Sequence, residues 1–73
     1  MDARTALSLK VNGIVEAHAV ETVADLLRAK DLDPERKGIA VAVNGAVVPR
    51  RTWAEMPLAA GDAVEIIEAK QGG

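Results

Sequence analysis

The fold is decided by residues 39–49, which read IAVAVNGAVVP. At the start of this stretch, branched apolar side chains alternate with alanine, a period-two pattern that predicts a strand with one buried face. The Asn-Gly pair at 44–45 follows, and because both residues tolerate positive φ, it predicts a two-residue hairpin turn. A short strand returns at 47–48 and ends before Pro49, since proline cannot donate a ladder hydrogen bond.

Upstream of this hairpin the sequence predicts one helix. Thr22 can cap its N-terminus, and Asp25, three residues further on, can complete a capping box. Residues at the i, i+3 and i+4 spacing give the helix a single apolar face: Val23, Leu26 and Leu27. The polar segment 31–37, which contains Pro34, ends the helix. A helix with one apolar face can cover one face of a sheet.

The N-terminal segment predicts another hairpin, whose register has two solutions. Residues 5–11 alternate apolar and polar side chains, and Asn-Gly at 12–13 marks the turn. A two-residue turn would place Glu16 and His18 on the same face as Leu9. A longer loop would instead turn other residues inward: Val15, Ala17 and Ala19. We favour the longer loop, because the two-residue turn buries a charge for which the sequence shows no partner.

The C-terminal part of the chain predicts a final strand. Residues 50–58 lack a clean period and predict a short helical turn and a loop, in which Trp53 covers a core of small aliphatic side chains. Residues 63–68 then predict a strand whose Val64 and Ile66 face the core.

The elements follow in the order hairpin, helix, strand pair and final strand. This order predicts an α+β fold of the β-grasp (ubiquitin-like) type, a roll in which one helix covers one face of a mixed sheet. We expect this domain to span residues 1–68. Residues 69–73 contain no structural pattern, and we expect them to form a flexible C-terminal tail.

The composition excludes several classes of function. The chain has 73 residues, a net charge of −2 and a single aromatic residue, Trp53. It therefore lacks the basic stripe and the stacking platform of a nucleic-acid-binding protein. No apolar run is long enough to cross a membrane, and Lys10 and Asn12 interrupt the stretch that a signal peptide would need. We therefore expect a cytoplasmic location.

Side-chain chemistry is equally sparse. No cysteine is present, which excludes a disulfide or a thiolate metal site. His18 is the only histidine, and we interpret it as a strand residue at or near the surface, since a metal site needs partners that the sequence does not supply. The alternating acids of segment 31–35 are typical of a solvated loop. We expect no bound metal and no bound cofactor.

The remaining candidate chemistry lies in Gln71, Gly72 and Gly73. A carboxylate is a poor electrophile until an enzyme transfers AMP from ATP onto its oxygen. To reach an enclosed ATP the tail must thread a narrow channel, and glycine has no Cβ to clash there. Residues 69–73 span at most roughly 17 Å when extended, which is enough to cross a channel wall. We therefore predict that the Gly73 carboxylate is the reactive group and that Gly72 and Gln71 thread the channel.

The outward face of the sheet offers a surface on which such an enzyme can dock. Ile67 shares its strand parity with Glu65, and Ala40 and Ala42 share the outward face of the third strand. Together Ala40, Ala42 and Ile67 can form a modest apolar docking patch. An ordinary solvated surface is an equal alternative.

Several short motifs stand in order along the chain: Ala-Val-Asn-Gly at 42–45, Val-Pro-Arg at 48–50, Trp53, Gly-Asp at 61–62 and the final Gly-Gly. With these motifs and the helix stretch 22–27, most of the chain resembles the thiamine-biosynthesis sulfur carriers, a ubiquitin-like family of the thiazole pathway. The Val-Pro-Arg and Trp element followed by Gly-Asp and Gly-Gly is fairly specific to that family.

The resemblance implies a mechanism. An adenylating enzyme similar to ubiquitin-activating enzymes would use ATP and Mg²⁺ to form an acyl-adenylate on Gly73. A cysteine-desulfurase-type partner would donate persulfide sulfur, and Gly73 would become a thiocarboxylate. Thiazole synthase would then bind the carrier and take the sulfur. The protein would thus be a co-substrate and not an enzyme.

Other interpretations stay open. The small subunit of molybdopterin synthase has the same fold, tail and activation, although the Val-Pro-Arg and Trp element argues against it. The others are a sulfur carrier for another pathway, a protein modifier that forms isopeptide bonds through Gly73, and an interaction module whose tail has no chemistry. Deletion of Gly73 separates the last of these from the rest, since only an idle tail tolerates the loss.

Overall fold

The computed structural model describes residues 6–69. This part of the chain forms strands, one α-helix and one 3₁₀ turn in the order β1 (Leu7–Val11), β2 (Ile14–His18), α1 (Val23–Ala29), β3 (Ile39–Val43), β4 (Ala46–Val48), η1 (Arg50–Thr52) and β5 (Ala63–Glu68). The helix, the hairpin at 39–48, the short turn after it and the final strand therefore lie where the sequence predicts them.

The strands form one mixed, five-stranded sheet in the order β2-β1-β5-β3-β4. β1 and β5 are parallel neighbours, with Val11 opposite Val64, and the other neighbouring pairs are antiparallel. Parallel neighbours cannot be joined by a tight turn. The chain between β1 and β5 therefore includes α1 together with β2, β3 and β4. The mixed sheet with one helix confirms the predicted β-grasp roll and its α+β class.

The core lies between the inner face of the sheet and α1, and it consists mainly of aliphatic side chains. Val23, Leu26 and Leu27 are fully buried, which confirms the predicted apolar face of the helix. Val64 and Ile66 belong to the same core cluster, as predicted for β5. Among residues 6–69 no polar or charged residue is buried, so the core is held by apolar burial, at about 25 cal/mol for each Å².

A capping box closes the N-terminus of α1. Thr22 Oγ1 accepts a hydrogen bond from the N–H of Asp25 at 3.2 Å, and Asp25 Oδ2 accepts one from the N–H of Thr22 at 3.3 Å. The same carboxylate oxygen accepts from the N–H of Glu21 at 3.1 Å. These bonds satisfy N–H groups that have no partner within the helix, and they confirm the predicted cap. The helix ends at Ala29, with Lys30 as its C-cap.

The first hairpin contradicts the predicted register. Asn12 (φ 51°) and Gly13 (φ 84°) form a two-residue turn, and β1 pairs with β2 so that Leu9 lies opposite Glu16. The prediction of a longer loop was therefore wrong. The residues that it placed in the core are exposed instead: Val15, Ala17 and Ala19.

The partner that makes this register possible comes from the helix. Lys30 Nζ lies 2.9 and 3.1 Å from the carboxylate oxygens of Glu16, and His18 Nε2 lies 2.7 Å from Glu16 Oε1. The Glu16 side chain stays 25% exposed, so it reaches Lys30 at the sheet edge without entering a dry core. Residues 16 and 30 are 14 positions apart, and no local pattern in the sequence marks this pairing.

The asparagines of both Asn-Gly turns also hold β5. The Asn12 side chain accepts from the N–H of Ile66 at 2.8 Å and donates to its carbonyl at 3.2 Å. At the other turn, the Asn44 side chain accepts from the N–H of Ala63 at 3.0 Å. A side-chain amide carries the same donor and acceptor groups as the backbone. Each asparagine therefore supplies the turn with a residue of positive φ and also extends the pairing of the sheet.

Trp53 covers the core as predicted. It is 3% exposed, and its Nε1 donates to the carbonyl of Val48 at 2.9 Å. The backbone N–H of Trp53 bonds the carbonyl of Arg50, which closes the η1 turn. The indole is therefore fixed both by packing and by a hydrogen bond to the end of β4.

Candidate functional site: the outer patch and the arm root

The predicted docking residues lie together on the face of the sheet that does not contribute to the core. Ala40 lies directly opposite Ile67, and Ala42 lies opposite Glu65. Directly opposed residues have Cβ atoms about 4.5–5.5 Å apart. Because its neighbours are small, Ile67 stands free of them and is 63% exposed. The structure thus brings Ala40, Ala42 and Ile67 onto one surface, in agreement with their strand parity.

Besides Glu65, this surface carries a further apolar residue that the sequence analysis did not single out. Val47 lies opposite Ala42 across the β3-β4 pair and is 78% exposed. The signal was present in the sequence, because a two-residue turn at 44–45 sets Val47 opposite Ala42 and therefore on the same face. We refer to Ala40, Ala42, Val47 and Ile67 as the outer patch.

The last strand leads from the outer patch directly to the base of the tail. Glu68 ends β5 and Ala69 follows it, and we refer to these two residues as the arm root. The N–H of Ala69 donates to the carbonyl of Gly38 at 2.7 Å. Glu68 Oε1 accepts from Arg36 Nη2 at 2.6 Å. The segment that precedes β3 therefore holds the arm root by both a backbone and a side-chain contact.

The predicted threading and reactive residues, Gln71, Gly72 and Gly73, lie outside the described residues 6–69. Ala69 is the one described residue of the predicted tail, and its N–H bonds the carbonyl of Gly38. The boundary of the tail, its flexibility and the chemistry of Gly73 stay predictions.

The cluster of Glu16, His18 and Lys30 at the opposite edge of the sheet is an ion pair with a histidine beside it. The hydrogen bond from His18, and then that from Lys30, lower the pKa of Glu16, and burial acts in the opposite direction. The carboxylate is thus held in its ionised form, which suits a structural contact. Within residues 6–69, no three acidic or histidine side chains are grouped so that they could hold a metal.

The molecule also has a concave surface, which lies away from the outer patch and the arm root. An open cleft of about 340 Å³ lies beside Trp53, and Arg28, Pro34 and Arg50 are among the residues that line it. None of the outer-patch or arm-root residues lines this cleft.

In the described part of the chain, no helix has the length and apolar character needed to cross a membrane.

Comparison with known proteins gives the family of this chain. A family model described as the ThiS family matches residues 5–73. The chain belongs to the ThiS family. This confirms the resemblance seen in the motifs between the Asn-Gly turn at 44–45 and the final glycines.

Individual ThiS proteins are similar over most of their length. The sulfur carrier protein ThiS of Escherichia coli (strain K12) is 34% identical over 59 residues, which cover 81% of this chain and 86% of the relative. The crystal structure of the thiamine biosynthesis protein (ThiS) from Geobacter metallireducens is 30% identical, with a TM-score of 0.74, and the match covers 92% of this chain and 100% of that one. The five-stranded sheet with one helix is therefore the ThiS fold.

Proposed function

We propose that this ThiS-family chain is a sulfur carrier of thiamine biosynthesis, and that its reactive group is the carboxylate of Gly73. The observation that carries the proposal is the family match over residues 5–73, which includes both final glycines. The names of the similar proteins support it: the Escherichia coli relative is called a sulfur carrier protein and the Geobacter protein a thiamine biosynthesis protein.

The proposed chemistry takes place at one carboxylate. An oxygen of Gly73 attacks the α-phosphorus of ATP, pyrophosphate leaves, and an acyl-adenylate forms. The persulfide sulfur of a cysteine-desulfurase-type donor then attacks the acyl carbon, and AMP leaves. A further thiol reduces the resulting acyl disulfide, which leaves a thiocarboxylate on Gly73. Thiazole synthase takes the sulfur from this group.

Catalysis belongs to the partners in this scheme. An adenylating enzyme binds ATP and Mg²⁺, and the metal offsets the charge that develops on the phosphates. The carrier binds no cofactor of its own and serves as a co-substrate. We assign this cycle to the cytoplasm.

The arrangement of β5 supports the proposal. Ile67 of the outer patch and Glu68 of the arm root are consecutive residues, so a partner that covers the outer patch meets the tail at its base. Exposed apolar side chains grouped on one face of a sheet suit docking of a partner surface. The sheet supplies the recognition surface, and the tail supplies the substrate group.

The test is an intact-mass measurement of the purified chain after incubation in a lysate of its source organism with ATP and cysteine. Two matched variants accompany it. The chain with Gly73 deleted keeps a terminal carboxylate but sets it back by one residue. A full-length chain with an amidated C-terminus keeps the length but lacks the carboxylate oxygen that must attack ATP.

The proposal expects the wild-type chain to gain the mass of one oxygen replaced by sulfur, and both variants to stay unchanged. Conjugates of higher mass in place of that shift would identify a protein modifier instead. If the wild-type chain shows neither change in a lysate that activates an authentic sulfur carrier, the proposal is wrong.

A further inference from the structure

We propose that Arg50 is a positioning residue for the predicted C-terminal tail, residues 69–73, which we call the arm. Arg50 acts through segment 34–38 on the arm root. The inference rests on the proposed function, in which the arm enters the active site of an adenylating enzyme. Within residues 6–69, the contacts of Arg50 are with segment 34–38 and with Trp53. It holds the segment that holds Glu68 and Ala69.

The guanidinium of Arg50 is held by stacking on an indole ring and by two hydrogen bonds to backbone carbonyls. One face lies over the indole of Trp53, with Cζ 4.5 Å from the ring centroid, and Trp53 is buried and bonded to Val48. Along the edge of the guanidinium, Nη1 donates to the carbonyl of Pro34 and Nη2 donates to the carbonyl of Arg36 at 2.7 Å. Arginine can make such paired, planar contacts while stacked on an aromatic ring, and lysine cannot. Arg50 therefore connects segment 34–38 to the core.

Segment 34–38 in turn contacts the arm root at both of its residues. The side chain of Arg36 bonds the Glu68 carboxylate at 2.6 Å, and the carbonyl of Gly38 accepts from the N–H of Ala69 at 2.7 Å. Gly38 has φ +87°, and a Cβ built there would lie 3.6 Å from both Ala69 Cβ and Ala69 O. The segment therefore follows the arm root closely, through a backbone conformation that glycine favours.

Global stability is a poor explanation for these contacts. The side chains of Arg36 and Glu68 are 49% and 48% exposed, and exposed ion pairs contribute little to folding. The pairing of β5 with β3 ends at Glu68, opposite Ile39. The bond from Ala69 to Gly38 thus continues the hydrogen bonding by one residue beyond the strand pair. The contacts set the positions of Glu68 and Ala69, the residues from which the predicted tail continues.

An arm root that is already held in place lowers the conformational entropy that is lost when the arm enters a channel. If Arg50 no longer holds segment 34–38, the arm root must be ordered during binding, and the affinity falls. Ordering one or two additional groups on binding corresponds to roughly a two- to tenfold loss of affinity. The chemical step on Gly73 is unchanged once the arm is bound, so KM for the carrier rises and kcat does not.

The first test needs no partner protein. Amide hydrogen exchange of Ala69 is compared by NMR in the wild type, in Arg50→Lys and in the control Arg51→Lys. The control residue is exposed and carries the same charge on the neighbouring position. Arg50→Lys is expected to speed exchange at Ala69 by roughly two- to tenfold while leaving the middle of β3 and β5 unchanged, as for the loss of one modest contact. Equal exchange at Ala69 in the two variants would overturn the proposal.

The second test measures adenylation as ATP-pyrophosphate exchange with the purified adenylating enzyme of the same organism. Arg50→Lys is expected to raise KM for the carrier with kcat retained, and Arg51→Lys to match the wild type. Arg36→Glu and Glu68→Arg are each expected to raise KM, and the double variant, which restores the ion pair in reverse, to recover it. A fall in kcat alone, or no recovery in the double variant, contradicts positioning.

The two tests keep the proposals apart. If the enzyme does not adenylate the wild-type chain, the proposed function fails, and amide exchange at Ala69 still decides whether Arg50 orders the arm root. If adenylation proceeds but Arg50→Lys behaves like Arg51→Lys in both tests, the proposed function stands and the positioning role is wrong. Circular dichroism at the assay temperature checks that every variant is folded.

Discussion

Glu16 is the residue on which the register of the first hairpin depends. Its carboxylate receives hydrogen bonds from His18 and Lys30, and these contacts favour the ionised form, so its pKa lies below the usual value. A depressed carboxyl pKa in the folded state means that unfolding raises proton affinity. The contribution of Glu16 to stability is therefore fully present above the unfolded pKa and is lost as pH falls through the lower, folded pKa.

The first prediction concerns Glu16→Gln. This variant is expected to be less stable than the wild type near neutral pH, and its free energy of unfolding should fall less steeply as the solution is acidified below about pH 5. The measurement is urea unfolding across that acidic range. Glu65→Gln is the control, since Glu65 is exposed on the outward face of β5. Identical pH profiles for wild type and Glu16→Gln would show that the ion pair does not couple to folding.

At the scale of elements, α1 shows how much a short helix depends on its ends and its buried face. It has 7 residues, whereas isolated helices shorter than about 12–15 residues are marginal in water. Two features compensate: the capping box formed by Thr22 and Asp25, and the complete burial of Val23, Leu26 and Leu27. The cap matters because four N–H groups begin every helix without a partner inside it.

The second prediction concerns Thr22→Ala. Loss of the hydroxyl that accepts from Asp25 N–H is expected to lower the free energy of unfolding by about 0.5–2 kcal/mol. Thr22→Ser keeps this acceptor and is expected to stay within about 0.5 kcal/mol of the wild type. Chemical denaturation of the three chains measures the difference. Equal losses for alanine and serine would assign the effect to the missing methyl group and not to the cap.

At the scale of the whole molecule, the sheet separates two edges that differ in their surroundings. The β4 edge carries Val47, which lies opposite Ala42 of β3, whereas the β2 edge lies three strands from β3 in the order of the sheet. Val15 on β2 is exposed to a similar degree, 69% against 78% for Val47. The two valines therefore make a matched pair that differs mainly in position relative to the outer patch.

The third prediction uses this pair. Val47→Glu is expected to raise KM for the carrier in adenylation by about tenfold or more, because it places a charge on the apolar surface that the proposed docking would bury. Val15→Glu is expected to leave KM within about twofold, the effect of a substitution outside the interface core. Both variants should keep the unfolding free energy within about 1 kcal/mol of the wild type. If Val15→Glu has the larger effect on KM, the partner docks at the other edge.

Much of the fold is predictable from the sequence, because its signals are local. The alternation of residues 39–43, the Asn-Gly turns, the cap at Thr22 and the i, i+3, i+4 apolar face of α1 each act within a few residues. The face of β5 and the parity of Ala40, Ala42 and Ile67 follow from the same period-two rule. These local signals agree with one another, and together they determine a mixed sheet with one covering helix.

Contacts between distant segments decide two features that the sequence did not predict: the register of the first hairpin and the anchoring of the arm root. Local rules alone made a two-residue turn at 12–13 look unfavourable, because Lys30, which pairs with Glu16, becomes its neighbour only after α1 packs on the sheet. The bonds from Arg50 to segment 34–38 likewise join residues 14 to 16 positions apart. The sequence by itself thus determined the elements, the buried faces of α1, β3 and β5, and the family motifs. Tertiary structure decided the register of the first hairpin and the anchoring of the arm root, because both depend on charges that meet only in the folded chain.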